Sequence, residues 1–379
     1  MSATGEPPVH LLALASLPHM GPARLDALVA GRDPAWVWAE LLRGGHRLDR
    51  LVVERCGARW PAVREAWVHR ARTLDLDDIR RRHRDVAVWR RGDPDFPERL
   101  VDDPEPPALL LATGPLPVGP SVAIVGTRRC SGYGRDVATE LGRGLAAVGV
   151  VVASGLALGI DAAAHRGALE GGAAPPLAVV ATGLDVVYPG RNRSLWSQIA
   201  DRGAIASEAP MGTPAARWRF PARNRILAGL ADAVVVVESH ASGGSMHTVS
   251  AALERDIPVL AVPGPITSPA SAGTNALLAD GATPARHVDD VLTALGLRQI
   301  GPAPETPALR PPPAELRPIV AALDATPTSV DVLAARTGVD VVSLHGALHR
   351  LAELRLAADE GGWWRSVGAV GVGRGAERS

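Results

Sequence analysis

The sequence predicts an α/β fold: a doubly wound parallel (Rossmann-like) sheet flanked by an N-terminal helical domain and a C-terminal winged helix. Three observations predict it. Between Ser121 and Leu297 the short apolar runs VAIVG, GVVVASG, PLAVVATG, ADAVVVVE and PVLAVPG each close on Gly, Pro or a polar residue, and a helix-compatible stretch follows each. Continuously apolar, β-branched strands of that length belong in a sheet covered by helices on both faces. Residues 1–110 lack such runs and read as amphipathic helices, and the stretch after the Pro-rich GPAPETPALRPPP reads as three short helices and a small hairpin. The expected boundaries are 1–110 for the helical domain, 111–297 for the sheet domain, 298–314 for a linker and 315–379 for the winged helix.

Composition narrows the function. With 379 residues and no net charge, any polyanionic partner must be held by a local patch. There is no lysine; all 40 basic residues are arginine, a bias that fits a GC-rich coding sequence and leaves each basic site with a bidentate fork. Cys56 and Cys130 form no disulfide or metal framework, as expected in a reducing compartment. The N-terminal MSATGEPPVHLLALASLP has no basic start, Pro18 interrupts its apolar stretch, and no run of about 18 apolar residues follows. The expectation is a cytoplasmic protein with no membrane segment and no cofactor.

In the first region Trp36, Trp38, Trp60 and Trp67 are the expected core anchors. LPHMGPARLDAL places a Gly-Pro turn between two apolar-periodic stretches, similar to a helix-hairpin-helix unit, and a single copy reads first as a packing module.

In open parallel sheets ligands bind beyond the carboxyl ends of the strands, so the loops there are the candidates. After the first strand, GTRRCSGYG has Gly126 for the turn, Thr127, and Ser131, Gly132 and Gly134 opening a helix whose free N–H groups suit a phosphate. G-x-G-x-x-G is absent, so a dinucleotide fingerprint fails; Arg128 and Arg129 stand in the loop instead. Cys130, between those arginines and the helix start, has surroundings that lower a thiol pKa, but a small residue at a turn is the plainer reading. The second loop offers Ser154, Gly155 and a helix start, with Asp161 and His165 on one helical face as a capping or internal pair.

The third cluster is the most telling. From Arg191 to Arg225 seven arginines face Asp201 and Glu208, and RWRFPARNR (217–225) interleaves four of them with Trp218 and Phe220. Guanidinium groups beside flat apolar rings suit a single-stranded nucleic-acid groove. Asn224 is expected to cap the helix ILAGLA, with Arg225 in its first turn opposing the dipole unless an anion sits there. The fourth loop, ESHASGGSMHT, supplies Gly243, Gly244, Ser245 and Thr248, another N–H-rich mouth. If Arg128, Arg217, Arg223 and Arg225 each neutralise a phosphate, the log–log salt slope is about −2.8 per protomer (4 × −0.7).

The third region, AELRPIVAALD, TSVDVLAARTG and VVSLHGALHRLAELRLA followed by ADEGGWWRS, has the winged-helix pattern. Its recognition helix carries only Arg350 and Arg355, beside Glu353, which argues for protein contact over duplex reading. His345 and His349 share a helical face without a third ligand nearby.

GTRRCSGYG, SGLALGIDAAAH, TGLDVVYPGRN, SEAPMG, FPARNRILAGLADAVVVVE, SGGSMHT and PGPITSPASAGTNALLADGA together resemble, in order, the DNA-processing protein A (DprA/Smf) family across Val122 to Ala282. The flanking regions resemble that family's more loosely. The resemblance implies a single-stranded-DNA-binding protein that protects incoming DNA and brings the RecA recombinase onto it during natural transformation, as a homodimer joined through the α/β domain. It implies a phosphate contact for Arg128 in the Gly-Ser/Thr-Arg turn, a basic contact at Arg217, and DNA roles for Phe220, Arg223, Asn224 and Arg225 of FPxRNR. The family's Ser-Gly-Ser turn stands here as Gly243, Gly244 and Ser245, without the first hydroxyl.

The alternative is an enzyme. The Gly-rich loop also resembles LOG-type nucleotide phosphoribohydrolases of the same superfamily, whose PGGxGT is followed by a catalytic glutamate. Here GGSMHT is followed by Val249, Ser250 and Ala251, with no acid before Glu254, and Glu238 reads as a strand-end residue pairing with backbone donors. General acid–base chemistry then lacks an agent.

Overall fold

The computed structural model describes residues 7–50, 52, 59–297, 312–324, 326–354 and 356–367; Cys56, Arg355 and residues 298–311 of the expected linker lie outside them. Residues 1–296 form one compact unit and 297–379 another.

The first unit is built on a nine-stranded sheet in the order β1-β2-β6-β5-β4-β3-β7-β8-β9. Seven strands are parallel: β3 (Ser121–Val125), β4 (Val151–Ser154), β5 (Leu177–Val179), β6 (Ala204–Ser207), β7 (Ala233–Val236), β8 (Val259–Ala261) and β9 (Thr283–Pro284). The chain runs outward from β3 to β6, then returns to β3's other side as β7, so the winding reverses between β3 and β7. That reversal is where a doubly wound sheet opens a crevice.

β1 (Ala87–Arg90) and β2 (Leu109–Ala112) add an antiparallel edge beside β6. The expected boundary at 110 therefore cuts through a strand of the sheet. LLLA in β2 is apolar on both faces because both are covered: Leu109 and Leu111 join one core, Leu110 and Ala112 the other.

Among the described residues before β1 lie α1 (Val9–Ala15), α2 (Pro22–Val29), α3 (Pro34–Leu42), α4 (Trp60–Thr73) and α5 (Leu76–Arg82). Asp33 and Asp75 cap α3 and α5 by accepting from Ala35 and Asp77 N–H. Trp38, Trp60 and Trp67 are buried as expected, and Trp67 Nε1 donates to Pro18 O at 2.7 Å. Trp36 is not an anchor: it faces water on α3 at 40% exposure. These helices share a core with α7 (Ile160–Gly171) and α8 (Arg193–Arg202) on one sheet face; α9 (Arg219–Gly229) and α10 (Met246–Leu253) cover the other. The remaining helices of the unit are α6 (Gly132–Ala147), α11 (Ala272–Ala279) and α12 (Val288–Ala294).

In the second unit α13 (Arg317–Ala322), α14 (Val330–Thr337) and α15 (Val341–Glu353) pack on the antiparallel sheet β10-β12-β11, formed by Thr328–Ser329, Trp363–Ser366 and Ala357–Asp359. This is a winged helix. Gly338, at φ 71°, ends α14, and Asp340 caps α15 by accepting from Val342 and Ser343 N–H. Trp364 is wholly buried at its centre.

Candidate nucleic-acid interface

The loop at the reversal point holds an anion already, and it is the protein's own. Glu238, just past β7, accepts from Ser131 N–H at 2.9 Å and from Ser131 Oγ at 2.5 Å. Its carbonyl accepts from Thr127 N–H at 2.7 Å. Ser131 in turn caps α6 by accepting from Gly134 N–H. A Cβ on Gly134 would lie 2.3 Å from Glu238 Oε2. The α6 N-terminus expected to receive a phosphate through Ser131, Gly132 and Gly134 is thus filled by a carboxylate, which the helix dipole favours equally. Nor is Cys130 activated: burial pushes its thiol up despite nearby Arg135.

One strand over, β4 builds the floor of a different site. Ser154 turns its hydroxyl inward to Ile124 O at 2.6 Å. Asp161, buried in the first turn of α7, accepts from Gly155 and Ala157 N–H. Burial pushes its carboxyl up, and the neighbouring Arg223 guanidinium pulls it back. Burial brings Arg223 down to about 10, still protonated at neutral pH, while it donates to Val179 O at 2.6 Å. A Cβ at Gly155 would stand 1.9 Å from Arg223 Nη1, so any other residue there would displace the guanidinium. Gly159, at φ 79°, must be glycine: its Cβ would meet Thr127 O at 2.3 Å. Close packing of Gly159 against this carbonyl sets the loop that carries Arg128.

The arginine-rich segment is laid out differently from expectation. α9 starts at Arg219, so Asn224 and Arg225 lie in its second turn rather than at its cap. Asn224 reaches back to Gly244 O at 3.4 Å. Arg225 is buried and donates to Glu208 at 2.5 Å, so the charge expected to need an external anion has an internal one. Burial pushes the Glu208 carboxyl up and Arg225 holds it down. Arg202 belongs to the end of α8 and donates to Leu169 O, away from the strand ends. Arg217 and Arg128 are exposed, and neither has an ion-pair partner among the described residues.

Arg128 and Phe220 meet over the floor. The Arg128 guanidinium lies 4.8 Å from the Phe220 ring centroid, and Tyr188 packs on Phe220 at 5.6 Å. Below them a cleft is walled by Gly155, Thr182 and Arg223. Two aromatic rings and two guanidinium groups therefore converge beyond the ends of β3, β4 and β5. Beside Asn224, the fourth loop keeps Gly243 and Gly244 near the surface, whereas Ser245 and Thr248 are buried and the Ser245 hydroxyl bonds Ser239 Oγ at 2.8 Å. That loop can offer backbone groups but not the Ser245 side chain. Neither Glu238 nor Glu254 lines the cleft. No group of three or more His, Cys, Asp or Glu among the described residues is arranged for a metal, and no described helix is long and apolar enough to cross a membrane.

Sequence reasoning missed Tyr188, whose place beside Phe220 depends on two segments far apart in the chain, and Gly159, whose constraint is a tertiary contact. It had no signal for Asp161 as the counter-charge of Arg223 beyond its helical spacing.

The chain matches the family described as DNA recombination-mediator protein A over residues 87–296, and the DprA winged helix domain over 303–354. It is 43% identical over 194 residues to a putative DNA processing protein DprA from Mycobacterium tuberculosis, covering 50% of each chain; it thus spans about half the length of that relative. The X-ray structure of DNA processing protein A from Streptococcus pneumoniae aligns with a TM-score of 0.59 and 30% identity, covering 75% of this chain and 96% of that one. The Helicobacter pylori protein, whose structure is described as giving a single-stranded DNA binding mode, aligns with a TM-score of 0.50 and 29% identity over 55% of this chain and 95% of that one. On the match across more than half its length, fold and winged helix included, this chain belongs to the DNA recombination-mediator protein A (DprA/Smf) family.

Proposed function

We propose that this chain binds single-stranded DNA along the strand-end edge of its sheet, protects incoming DNA, and loads the RecA recombinase onto it during natural transformation. The observation that carries the reading is the Arg128–Phe220–Tyr188 stack above Arg223. The exposed Tyr188 ring and the half-buried Phe220 ring offer apolar surface to unpaired bases of any sequence at about 1–3 kcal/mol per stacked base, and a duplex keeps its bases out of reach. Arg128 and Arg217 supply phosphate contacts and Gly126 and Gly244 backbone groups; the Thr127 and Gly243 N–H groups are taken by Glu238 O and His240 O, and Arg223 and Arg225 chiefly hold the floor. The partners proposed are single-stranded DNA, RecA and a second copy of the chain docked through the sheet domain, in the cytoplasm. The phosphoribohydrolase reading is not favoured, since no glutamate reaches the cleft.

The test is competition between a labelled single-stranded oligonucleotide and its duplex, with the mass of the complex measured. Selective retention of the single strand by a two-protomer complex is expected; equal displacement by duplex overturns the reading. RecA loading is checked by recombinase ATP hydrolysis on a strand precoated with single-strand-binding protein, with and without this chain.

A further inference from the structure

Most tryptophans here are core residues: Trp38, Trp60, Trp67, Trp89, Trp196 and Trp364 are each 8% exposed or less. Trp218 is 46% exposed and sits in an arginine-rich segment immediately before α9. It is nevertheless held in place. The Arg219 guanidinium lies 4.4 Å from its ring centroid, and a Cβ at Gly21 would lie 3.6 Å from its six-membered ring. The contact at Gly21 is the Gly-Pro turn of the N-terminal hairpin that begins α2. On its N-terminal side stands Arg217, exposed and without an ion-pair partner among the described residues. A large ring left half in water gives up apolar burial; one that is also oriented by a cation and a neighbouring turn is pre-organised to receive a flat apolar partner.

We propose that Trp218 is a second base-stacking platform, with Arg217 beside it for the accompanying phosphate, so that the bound strand runs from the Arg128–Phe220 cleft toward the N-terminal hairpin at Gly21. The ligand class is an unpaired nucleobase of any identity. The N-terminal hairpin, which sequence alone reads as a packing module, thereby acts as the wall that fixes the Trp218 ring. This inference rests on the proposed single-strand function and extends it by a subsite that Phe220 does not supply.

The experiment measures binding of the full chain to a length series of oligothymidylates by fluorescence anisotropy, with Trp218→Ala, Trp218→Phe and Arg128→Ala. Losing one stacked base corresponds to a roughly 5- to 140-fold loss of affinity. Trp218→Ala is expected to show that loss only with oligonucleotides long enough to leave the cleft, Trp218→Phe to recover most of it, and Arg128→Ala to weaken every length. A 5-iodouridine oligonucleotide is expected to photo-crosslink to the peptide containing Trp218. If Trp218→Ala binds all lengths like the unsubstituted chain while Arg128→Ala does not, the second platform is wrong and the single-strand reading stands. If the unsubstituted chain binds none of the oligonucleotides, both fall.

Discussion

Replacing arginines one at a time separates those that meet phosphate from those that hold the fold. Of the four expected from sequence to carry phosphates, Arg225 is neutralised by Glu208, and Arg223 is buried with Asp161 as counter-charge. Arg128 and Arg217 are exposed and unpaired among the described residues. These two should contribute about −1.4 (2 × −0.7) to the log–log salt slope per protomer, half of what four would give. Arg128→Ala and Arg217→Ala are each expected to reduce the slope's magnitude by about 0.7, while Arg225→Ala leaves it unchanged. Arg225→Ala instead strands Glu208 with little access to water, at a cost of order 3 kcal/mol, and lowers the melting temperature by several degrees. The assay is oligonucleotide anisotropy titrated across a salt series, paired with thermal unfolding of the same preparations. A fall of about 0.7 in Arg225→Ala, with its melting point intact, would refute this partition of the arginines.

Three further outcomes follow from the same geometry. Gly159→Ala should destabilise the chain by at least about 1–3 kcal/mol, because it adds positive-φ strain to a clash with Thr127 O; calorimetry that finds an unchanged melting point removes Gly159 as the support of the Arg128 loop. Glu238→Ala should empty the α6 N-terminus, so that inorganic phosphate raises the melting temperature of the variant and not of the parent; equal responses would mean the carboxylate was not filling an anion site. His165 is wholly buried and burial pushes its imidazole down to about 3. Its contribution to stability is fully present above about pH 6.5, where the unfolded chain's imidazole is neutral too, and is lost as pH falls toward 3 because only the unfolded chain takes up the proton there. That loss is about 1.4 kcal/mol per pH unit, so the stability difference between the parent and His165→Leu should narrow or reverse on acidification between those limits; parallel pH profiles in chemical denaturation would show that His165 is not held neutral.

The parallel sheet was legible because its strands are continuously apolar, a pattern that survives without tertiary information. The edge formed by β1 and β2 was not: AVWR mixes polar and apolar residues, and LLLA, set among prolines, straddles the expected boundary at 110. The segment RWRFPARNR stands out by composition, but composition reads its charges as equivalent. Whether an arginine faces solvent or a carboxylate depends on where α9 begins, and Pro221 within its first turn gave no sign that the helix already starts at Arg219. Asn224 looked like a cap for the same reason. The pairing of Ser131 with Glu238 joins residues 107 positions apart, beyond any local pattern. Among the winged-helix residues, Arg350 is described on α15 facing Glu315 at 3.6 Å, which leaves that helix with still less free positive charge than its composition suggested.

The carboxylate of Glu238 at the mouth of α6 has a consequence for selectivity inside a cell. Free mononucleotides and dinucleotide coenzymes would otherwise compete for the crevice where this architecture commonly accepts them. A built-in carboxylate would disfavour such metabolites there and leave the neighbouring strand ends as the open surface. Weak response to small phosphates at the α6 mouth is the expected consequence of one acidic side chain.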